Sequence, residues 1–152
     1  MTDTFQEIAD QQKKPLLLVL SGPTCSGKDA VMRLLLKRRP QMQRLVTTNS
    51  RPKRNDEREG VDYHFISKEE FEKLIAQDAF YEWVEYRGGY RGGQKKHVHE
   101  ALKSGKDIIW RIEIKGVKNI YHKVKKEMPN SVFIFLTEKL SILKQRMQRR
   151  AT

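Results

Sequence analysis

The sequence has few of the features that mark membrane-bound or exported proteins. It contains no apolar run that approaches the roughly 20 residues needed by a membrane-spanning helix. The polar segment 1–14 lacks the apolar core of a secretory signal, and the one cysteine, Cys25, cannot form an internal disulfide. We therefore expect a cytoplasmic protein of a reducing environment, with no membrane partner.

Acidic residues are also in short supply, because 31 lysines and arginines stand against 19 aspartates and glutamates, giving a net charge of +12. Such a surplus favours anionic partners, and a nucleic-acid-binding surface is one alternative. The basic residues are spread along the chain and mixed with acids, as in 55–59. We therefore expect solvated helix faces and anionic small substrates, and no nucleic-acid partner. The length of 152 residues suits one domain, and the oligomeric state is not predicted.

The segment 21–29, Ser-Gly-Pro-Thr-Cys-Ser-Gly-Lys-Asp, carries the strongest functional signal. It follows the apolar run 16–20 and precedes a helical pattern, which is the strand–loop–helix order of a phosphate-binding P-loop. Gly22 and Gly27 let backbone N–H groups converge on one anion, and Lys28 can reach the β- and γ-phosphates of a nucleoside triphosphate. An ordinary glycine-bounded turn is the alternative. The predicted triphosphate site comprises Gly22, Pro23, Thr24, Cys25, Ser26, Gly27, Lys28 and Asp29.

Asp29 breaks the P-loop pattern, which normally has Ser or Thr after the lysine to hold Mg²⁺. A carboxylate is also a hard oxygen ligand for Mg²⁺, and it is favourable in the first turn of a helix. Without the ion, however, Asp29 would repel the phosphates. The sequence therefore predicts Asp29 as a metal ligand and makes Mg²⁺ important for binding.

Strands and helices alternate along most of the chain, which predicts an α/β domain with a three-layer parallel sheet flanked by helices. Strands are predicted at 16–21, 45–47, 63–66, 80–86, 107–113 and 131–136, and helices at 27–39, 94–103, 117–126, 140–150 and after a capping box at 67–70. Residues 87–93 are predicted as a glycine-rich turn. In the helix at 27–39, Val31, Leu34 and Leu35 are spaced for one buried face. We expect a tail at 1–14 and a domain at 15–152, in which 49–93 is an inserted lobe.

Several separate motifs, in order, carry a family resemblance. They are the P-loop, Ser50-Arg51-Pro52-Lys53-Arg54, Gly60-Val61-Asp62-Tyr63-His64-Phe65, Glu82-Trp83, Gly88-Gly89-Tyr90 and Arg111-Ile112-Glu113-Ile114-Lys115-Gly116. From about Leu16 onwards the chain resembles the guanylate kinases. The resemblance implies Mg²⁺-assisted transfer of a phosphoryl group from ATP to GMP, with core segments 15–48 and 94–152 and a GMP-binding lobe at 49–93.

The resemblance also implies roles for individual residues. Arg51, Arg54 and Tyr63 would bind the GMP phosphate, since guanidinium forks suit phosphate oxygens. Glu82 would accept hydrogen bonds from guanine N1–H and the 2-amino group, which adenine cannot offer. The implied GMP site comprises Thr47, Arg51, Arg54, Tyr63, Glu82, Arg91 and Glu113.

Arg146 and Arg150 lie four residues apart and hence on one helix face. They resemble the arginines that fold over the transferring phosphate in the family, so the catalytic residues implied are Lys28, Arg146 and Arg150. A solvated basic helix end is the alternative reading of the two arginines.

Several positions depart from the common family pattern, among them Asn55 and Asp56, which stand where Pro-Gly is usual. Gly93 stands where many members have a hydroxyl that helps to read guanine, and Arg111 stands where many have an aspartate. Asp29, Arg91 and Arg111 together resemble a plant-organelle-type branch of the family.

Family members continue past the position of Thr152 through a mobile lid, so we expect either that this sequence is a fragment or that the lid and the C-terminal elements are missing. A missing lid predicts intact GMP binding with weak turnover. The expected function is a guanylate kinase. A catalytically weak or inactive guanylate-kinase-like binding module is the main alternative, and another P-loop nucleotide kinase or a nucleic-acid-binding protein is a third.

Overall fold

The computed structural model describes residues 14–86 and 88–151. In chain order the elements of these residues are β1 (Leu17–Ser21), α1 (Lys28–Arg38), β2 (Gln43–Arg44), β3 (Thr48–Asn49), β4 (His64–Phe65), α2 (Lys68–Ala76), β5 (Phe80–Tyr86), β6 (Gly89–Gln94), α3 (Lys95–Lys103), β7 (Ile108–Arg111), α4 (Ile114–Glu127), β8 (Ser131–Phe135) and α5 (Leu140–Ala151). None of the helices in this part of the chain has the length and apolar content that crossing a bilayer requires.

The first sheet is parallel throughout, with strand order β2-β7-β1-β8. Alternate residues of a strand face opposite sides, and both sides of β1 are covered. Leu17 and Val19 belong to a core cluster that includes Ile120 of α4. Leu18 and Leu20 belong to a second cluster that includes Met32 of α1. The predicted α/β fold, with helices on both faces of a parallel sheet, is confirmed.

The second sheet has the order β4-β3-β6-β5 and is mainly antiparallel. Its strands come from the segment 48–94. Helix α2 lies within the same segment, and the Ser67 side chain caps it by accepting a hydrogen bond from Glu70 N–H at 3.0 Å, as predicted. The predicted domain boundaries, with core segments 15–48 and 94–152 and a lobe at 49–93, stay predictions. Most of the predicted tail lies outside the described residues.

The predicted strand at 45–47 is wrong, because the chain leaves one sheet for the other at this point. Gln43 and Arg44 pair with β7 as β2, and Thr48 and Asn49 then pair with β6 as β3. Leu45 is buried at the crossing and donates its N–H to the Ile109 carbonyl at 2.9 Å. The apolar run therefore marks burial between two sheets rather than one continuous strand.

The helix face predicted for α1 is wrong in two of its three residues. Val31 is 41% exposed and Leu34 is 49% exposed, whereas Met32 is buried against the sheet with Leu35 beside it. The buried stripe begins at Lys28 and continues through Met32, because the lysine faces inward at the start of the helix. Because the first buried position of the helix is occupied by a lysine, the spacing of apolar residues alone does not predict which face is buried.

The predicted turn at 87–93 is wrong from Gly89 onward, because Gly89–Gln94 form strand β6 beside β5. Gly88 is in a turn with φ +77°, and Arg87 lies outside the described residues. Within β6, glycine allows close approach of a neighbouring side chain. A Cβ atom added to Gly93 would lie 2.2 Å from Cζ2 of Trp110, whose indole is fully buried. The missing hydroxyl at position 93 thus has a packing reason, since the indole fills its place.

We expect Gly93→Ser to lower the free energy of unfolding by about 2–3 kcal/mol, as overpacking of a filled core does. Chemical denaturation of the Gly93→Ser, Trp110→Leu and double variants would measure this cost. The contact predicts coupling, so the double variant should lose less stability than the sum of the two single variants. Simple additivity would contradict the role assigned to the indole.

Candidate active site in the cleft between the two sheets

A cleft of about 940 Å³ opens between the P-loop and the second sheet. Most of the residues predicted for the site meet there: Thr24, Cys25, Ser26, Gly27, Lys28, Asp29, Arg51, Arg54, Tyr63, Arg91, Glu113, Arg146 and Arg150 line it. Ala30, Arg33, Glu57, Tyr86 and Arg111 complete the lining. A cleft with this many cationic groups suits a polyanionic ligand.

The P-loop runs from the carboxyl end of β1 to the start of α1, and its shape depends on glycine. Gly22 has φ +150°, and a Cβ atom there would lie 2.1 Å from the Leu136 carbonyl oxygen. Gly27 has φ +98° and precedes Lys28, the first residue of α1. The N-terminus of α1 is therefore aimed at the cleft, where its free N–H groups and dipole favour an anion.

Lys28 is the buried cation of the loop, with only 6% of its surface exposed. Its Nζ donates to the Gly22 carbonyl at 2.5 Å and to the Pro23 carbonyl at 2.9 Å, so these two residues hold the lysine rather than line the cleft. Burial lowers the pKa of Lys28, while the nearby Glu113 carboxylate opposes this shift. The two carbonyls thus hold the amine at the floor of the site.

Asp29 is paired with a residue that its sequence neighbours do not reveal. Arg111 Nη1 donates to Asp29 Oδ1 at 2.6 Å, and Arg111 Nη2 lies 4.0 Å from Glu113 Oε1. Arg111 ends β7, which lies next to β1 in the sheet, with Arg111 opposite Leu20. The sheet therefore brings the two unusual residues, Asp29 and Arg111, into direct contact.

The loop between β3 and β4 supplies a second group of cations. The guanidinium of Arg51 is held by a bidentate ion pair with the Glu57 carboxylate, and Arg54 N–H donates to Glu57 Oε2 at 2.9 Å. The hydrogen bonds from Arg51 hold the pKa of Glu57 at about 2. Glu57 therefore stays ionised at neutral pH and orients this loop, so that part of the Arg51 donor set is already in use.

Arg91 lies near two tyrosine rings of the cleft, one of which it shares with Arg51. Its Cζ is 5.0 Å from the centroid of Tyr63 and 5.6 Å from the centroid of Tyr86. Arg51 lies 5.7 Å from the Tyr63 ring as well. Such cation–π contacts fix the planes of the guanidinium groups while their N–H edges can point at a ligand.

Thr47 and Glu82 lie in a small pocket that adjoins the cleft. Its lining includes Arg91, Arg111 and Glu113, which also line the larger cavity. The volume is about 10 Å³, room for about one water-sized group, so only the edge of a base could reach into it.

Glu82 is the buried acidic group of this pocket and is 7% exposed. Its Oε1 accepts a hydrogen bond from Gly93 N–H at 3.1 Å. Burial raises the pKa of Glu82 to about 7, although that hydrogen bond and the charge of Arg91 act in the opposite direction. A buried carboxyl with one oxygen engaged can read donors on an incoming base with the other.

The last helix reaches the P-loop directly. Arg146 Nη1 donates to the Cys25 carbonyl at 3.1 Å, and Arg146 Nη2 lies 3.9 Å from Glu138 Oε2. Arg150, one turn further along α5, lines the same cleft. Both arginines thus face the site, and neither is a wholly solvated helix end.

Five lining residues are not among the site residues that the sequence predicts: Ala30, Arg33, Glu57, Tyr86 and Arg111. Glu57 carries a local signal, an acid three residues after Arg54 in the arginine-rich loop. Arg33 and Tyr86 carry none, because only the packing of α1 and β5 around the cleft brings them into it.

A P-loop at the end of a parallel strand, facing an arginine-rich second sheet across a shared cleft, defines a P-loop nucleotide kinase. The sequence model of the family described as guanylate kinase matches residues 13–152. The chain belongs to the guanylate kinase family, which makes it a transferase of the nucleoside monophosphate kinase class, an ATP:GMP phosphotransferase.

Individual relatives agree with this assignment. The guanylate kinase of Carboxydothermus hydrogenoformans is 42% identical over 140 residues, covering 91% of this chain and 67% of that protein. The guanylate kinase of Desulfitobacterium hafniense is 38% identical over 143 residues, covering 93% and 70%. The crystal structure of guanylate kinase from Anaplasma phagocytophilum matches with a TM-score of 0.62 at 26% identity, over 91% of this chain and 67% of that one. The chain thus spans about two thirds of the length of these relatives.

Proposed function

We propose that this cleft transfers the γ-phosphoryl group of ATP to the phosphate of GMP, giving ADP and GDP. The observation that carries the proposal is that one cavity contains both the P-loop and the arginine loop with Arg51 and Arg54. In the reaction, the bond between the γ-phosphorus and its bridging oxygen breaks as a GMP phosphate oxygen bonds to that phosphorus. Such transfer needs the two phosphates held in line and their charge neutralised.

On the donor side, the P-loop N–H groups and Lys28 bind the ATP phosphates. Among residues 14–86 and 88–151, no cluster of three or more His, Cys, Asp or Glu residues could hold a metal ion by itself. Mg²⁺ would therefore be held by the half-buried Asp29 carboxylate together with phosphate oxygens, which suits an ion that keeps few protein ligands. When bound, the ion neutralises charge on the β- and γ-phosphates.

On the acceptor side, Arg51, Arg54 and Tyr63 bind the GMP phosphate at the opposite wall of the cleft. Glu82 accepts hydrogen bonds from the guanine edge. Thr47, Arg91 and Glu113 complete the GMP site, because all three line the small pocket that contains Glu82.

Arg146 and Arg150 stabilise the charge of the phosphoryl group as it moves between the two sites. The hydrogen bond from Arg146 to the Cys25 carbonyl of the P-loop supports this role. Guanidinium groups supplied at this point stabilise the transition state more than the ground state.

Asp29, Arg91 and Arg111 support a finer assignment to the plant-organelle-type branch of the family. A cytoplasmic site of action and the absence of a nucleic-acid partner belong to the same proposal. These finer assignments stay predictions that follow from the sequence.

The test is phosphoryl transfer from ATP to GMP, AMP, UMP and dTMP, each with and without Mg²⁺. We expect Mg²⁺-dependent GDP formation and little product from the other three acceptors. If GMP raises the melting temperature but no GDP forms, the chain is a guanylate-kinase-like binding module. Transfer to AMP or UMP at the same rate would contradict the assignment of Glu82.

A further inference from the structure

The pair of Asp29 and Arg111 lies where a triphosphate would bind. Asp29 is in the first turn of α1, directly after Lys28, and Arg111 ends the strand next to β1. The N–O distance is 2.6 Å, and the side chains of Arg111 and Asp29 are 19% and 46% exposed, so the contact is close and partly buried. Both residues line the cleft.

A carboxylate in this place poses an electrostatic problem. Backbone N–H groups and Lys28 there favour an anion, whereas the charge of Asp29 opposes one. Glu113, 4.0 Å from Arg111, adds a second negative charge nearby. Arg111 is the cation that contacts Asp29 directly, so it can cancel the carboxylate that would otherwise repel the phosphates.

We infer that Arg111 is a positioning residue that neutralises Asp29, allowing the P-loop to bind ATP even without a divalent ion. Asp29 would also be the protein ligand of Mg²⁺, so Arg111 would neutralise this carboxylate chiefly when the ion is absent. The inference deepens the proposed function and rests on it, since it assumes that ATP occupies the P-loop. It assigns to Arg111 a role that does not require contact with the reacting atoms.

ATP binding is measured by calorimetry, once with excess Mg²⁺ and once with EDTA. The quantity followed is the dissociation constant in EDTA divided by the dissociation constant in Mg²⁺. We expect Arg111→Gln to weaken metal-free ATP binding about tenfold or more, because Asp29 is left unneutralised. Binding of Mg²⁺-ATP should change less than about threefold, since the ion takes over the neutralisation. The ratio therefore rises.

Substitution of Asp29, the partner of Arg111, is expected to change this ratio in the opposite direction. Asp29→Ser should lower the ratio, because it removes both the repulsion and the metal ligand. The double variant Asp29→Ser/Arg111→Gln should restore most of the metal-free binding that Arg111→Gln loses. Arg111→Lys keeps the charge and should retain a ratio close to that of the unchanged protein, which separates charge from folding.

Arg33→Gln is the matched control, because Arg33 lines the same cleft and carries the same charge, while the partner of Asp29 is Arg111. Arg33→Gln should weaken the binding of metal-free ATP and of Mg²⁺-ATP by the same factor. The inference is overturned if Arg111→Gln behaves like Arg33→Gln, or if the double variant binds metal-free ATP as weakly as Arg111→Gln. Failure to transfer phosphate to GMP would contradict only the proposed function, whereas failure of the unchanged protein to bind ATP would overturn both.

Discussion

Replacement of Lys28 by methionine is expected to lower kcat for GDP formation about a thousandfold, which corresponds to about 4 kcal/mol of transition-state stabilisation. The amine is buried at the floor of the cleft, and the carbonyls of Gly22 and Pro23 hold it there. It is therefore in place before the reaction begins, and no cost of ordering a flexible side chain reduces its effect. Methionine keeps most of the volume but has no charge.

Steady-state kinetics with ATP and GMP would measure the loss, and calorimetry would measure GMP binding separately. GMP affinity should change by less than about threefold, because the acceptor residues lie across the cleft from Lys28. Lys37→Met is the control, since Lys37 is on the same helix but exposed. Unchanged kcat in Lys28→Met would remove the P-loop from the mechanism.

Replacement of Glu82 by glutamine is expected to lower the preference for GMP over AMP about a hundredfold, measured as the ratio of kcat/KM values. The amide keeps the shape and can still accept the hydrogen bond from Gly93 N–H. Its NH₂ group, however, faces the N1–H and 2-amino donors of guanine, and two donors cannot pair. Glu85→Gln, on the same strand but exposed, is the control and should leave the ratio unchanged.

The raised pKa of Glu82 adds a pH dependence to the same experiment. The carboxyl has a pKa of about 7 in the folded protein, so GMP affinity should rise between pH 6 and pH 8 as the acceptor becomes ionised. The phosphate of GMP titrates near this range too, with a pKa of about 6. The pH dependence that comes from the GMP phosphate persists in Glu82→Gln. The difference in pH dependence of GMP affinity between the unchanged protein and this variant therefore measures the effect of the Glu82 carboxyl.

The stability of the unliganded protein should depend on pH in the opposite sense. Since the folded-state pKa of Glu82 lies above that of an unfolded chain, the protonated form favours folding. This contribution is complete at acidic pH and is lost as pH rises through about 7. The melting temperature of the unchanged protein should thus fall relative to that of Glu82→Gln between pH 5 and pH 8.

The P-loop could be predicted from the sequence because its determinants are local. An apolar strand, two glycines and a lysine follow one another within residues 16–28, and the structure has β1, the loop and α1 in this order. The arginines of the loop before β4 were predicted through the family resemblance, and they meet the P-loop in one cleft. Their individual roles stay proposals.

The ion pair of Asp29 with Arg111 could not be predicted, because it depends on the order of strands in the sheet. The two residues are 82 positions apart, and only the pairing of β7 with β1 brings them together. The glycine-rich strand β6 was misread for a related reason. A run of glycines predicts a turn when only the sequence is known. At Gly93 the glycine is instead required by the neighbouring side chain of Trp110, which the sequence does not reveal.

The contact between Gly93 and Trp110 also has an evolutionary consequence. With 2.2 Å between Trp110 Cζ2 and the place of a Cβ atom at position 93, the two positions cannot change independently. A serine at 93 beside the indole overpacks the core, and a smaller residue at 110 beside Gly93 leaves a cavity, so each single change destabilises the protein. A descendant of this protein therefore acquires a serine at 93 at low cost only together with a smaller residue at 110.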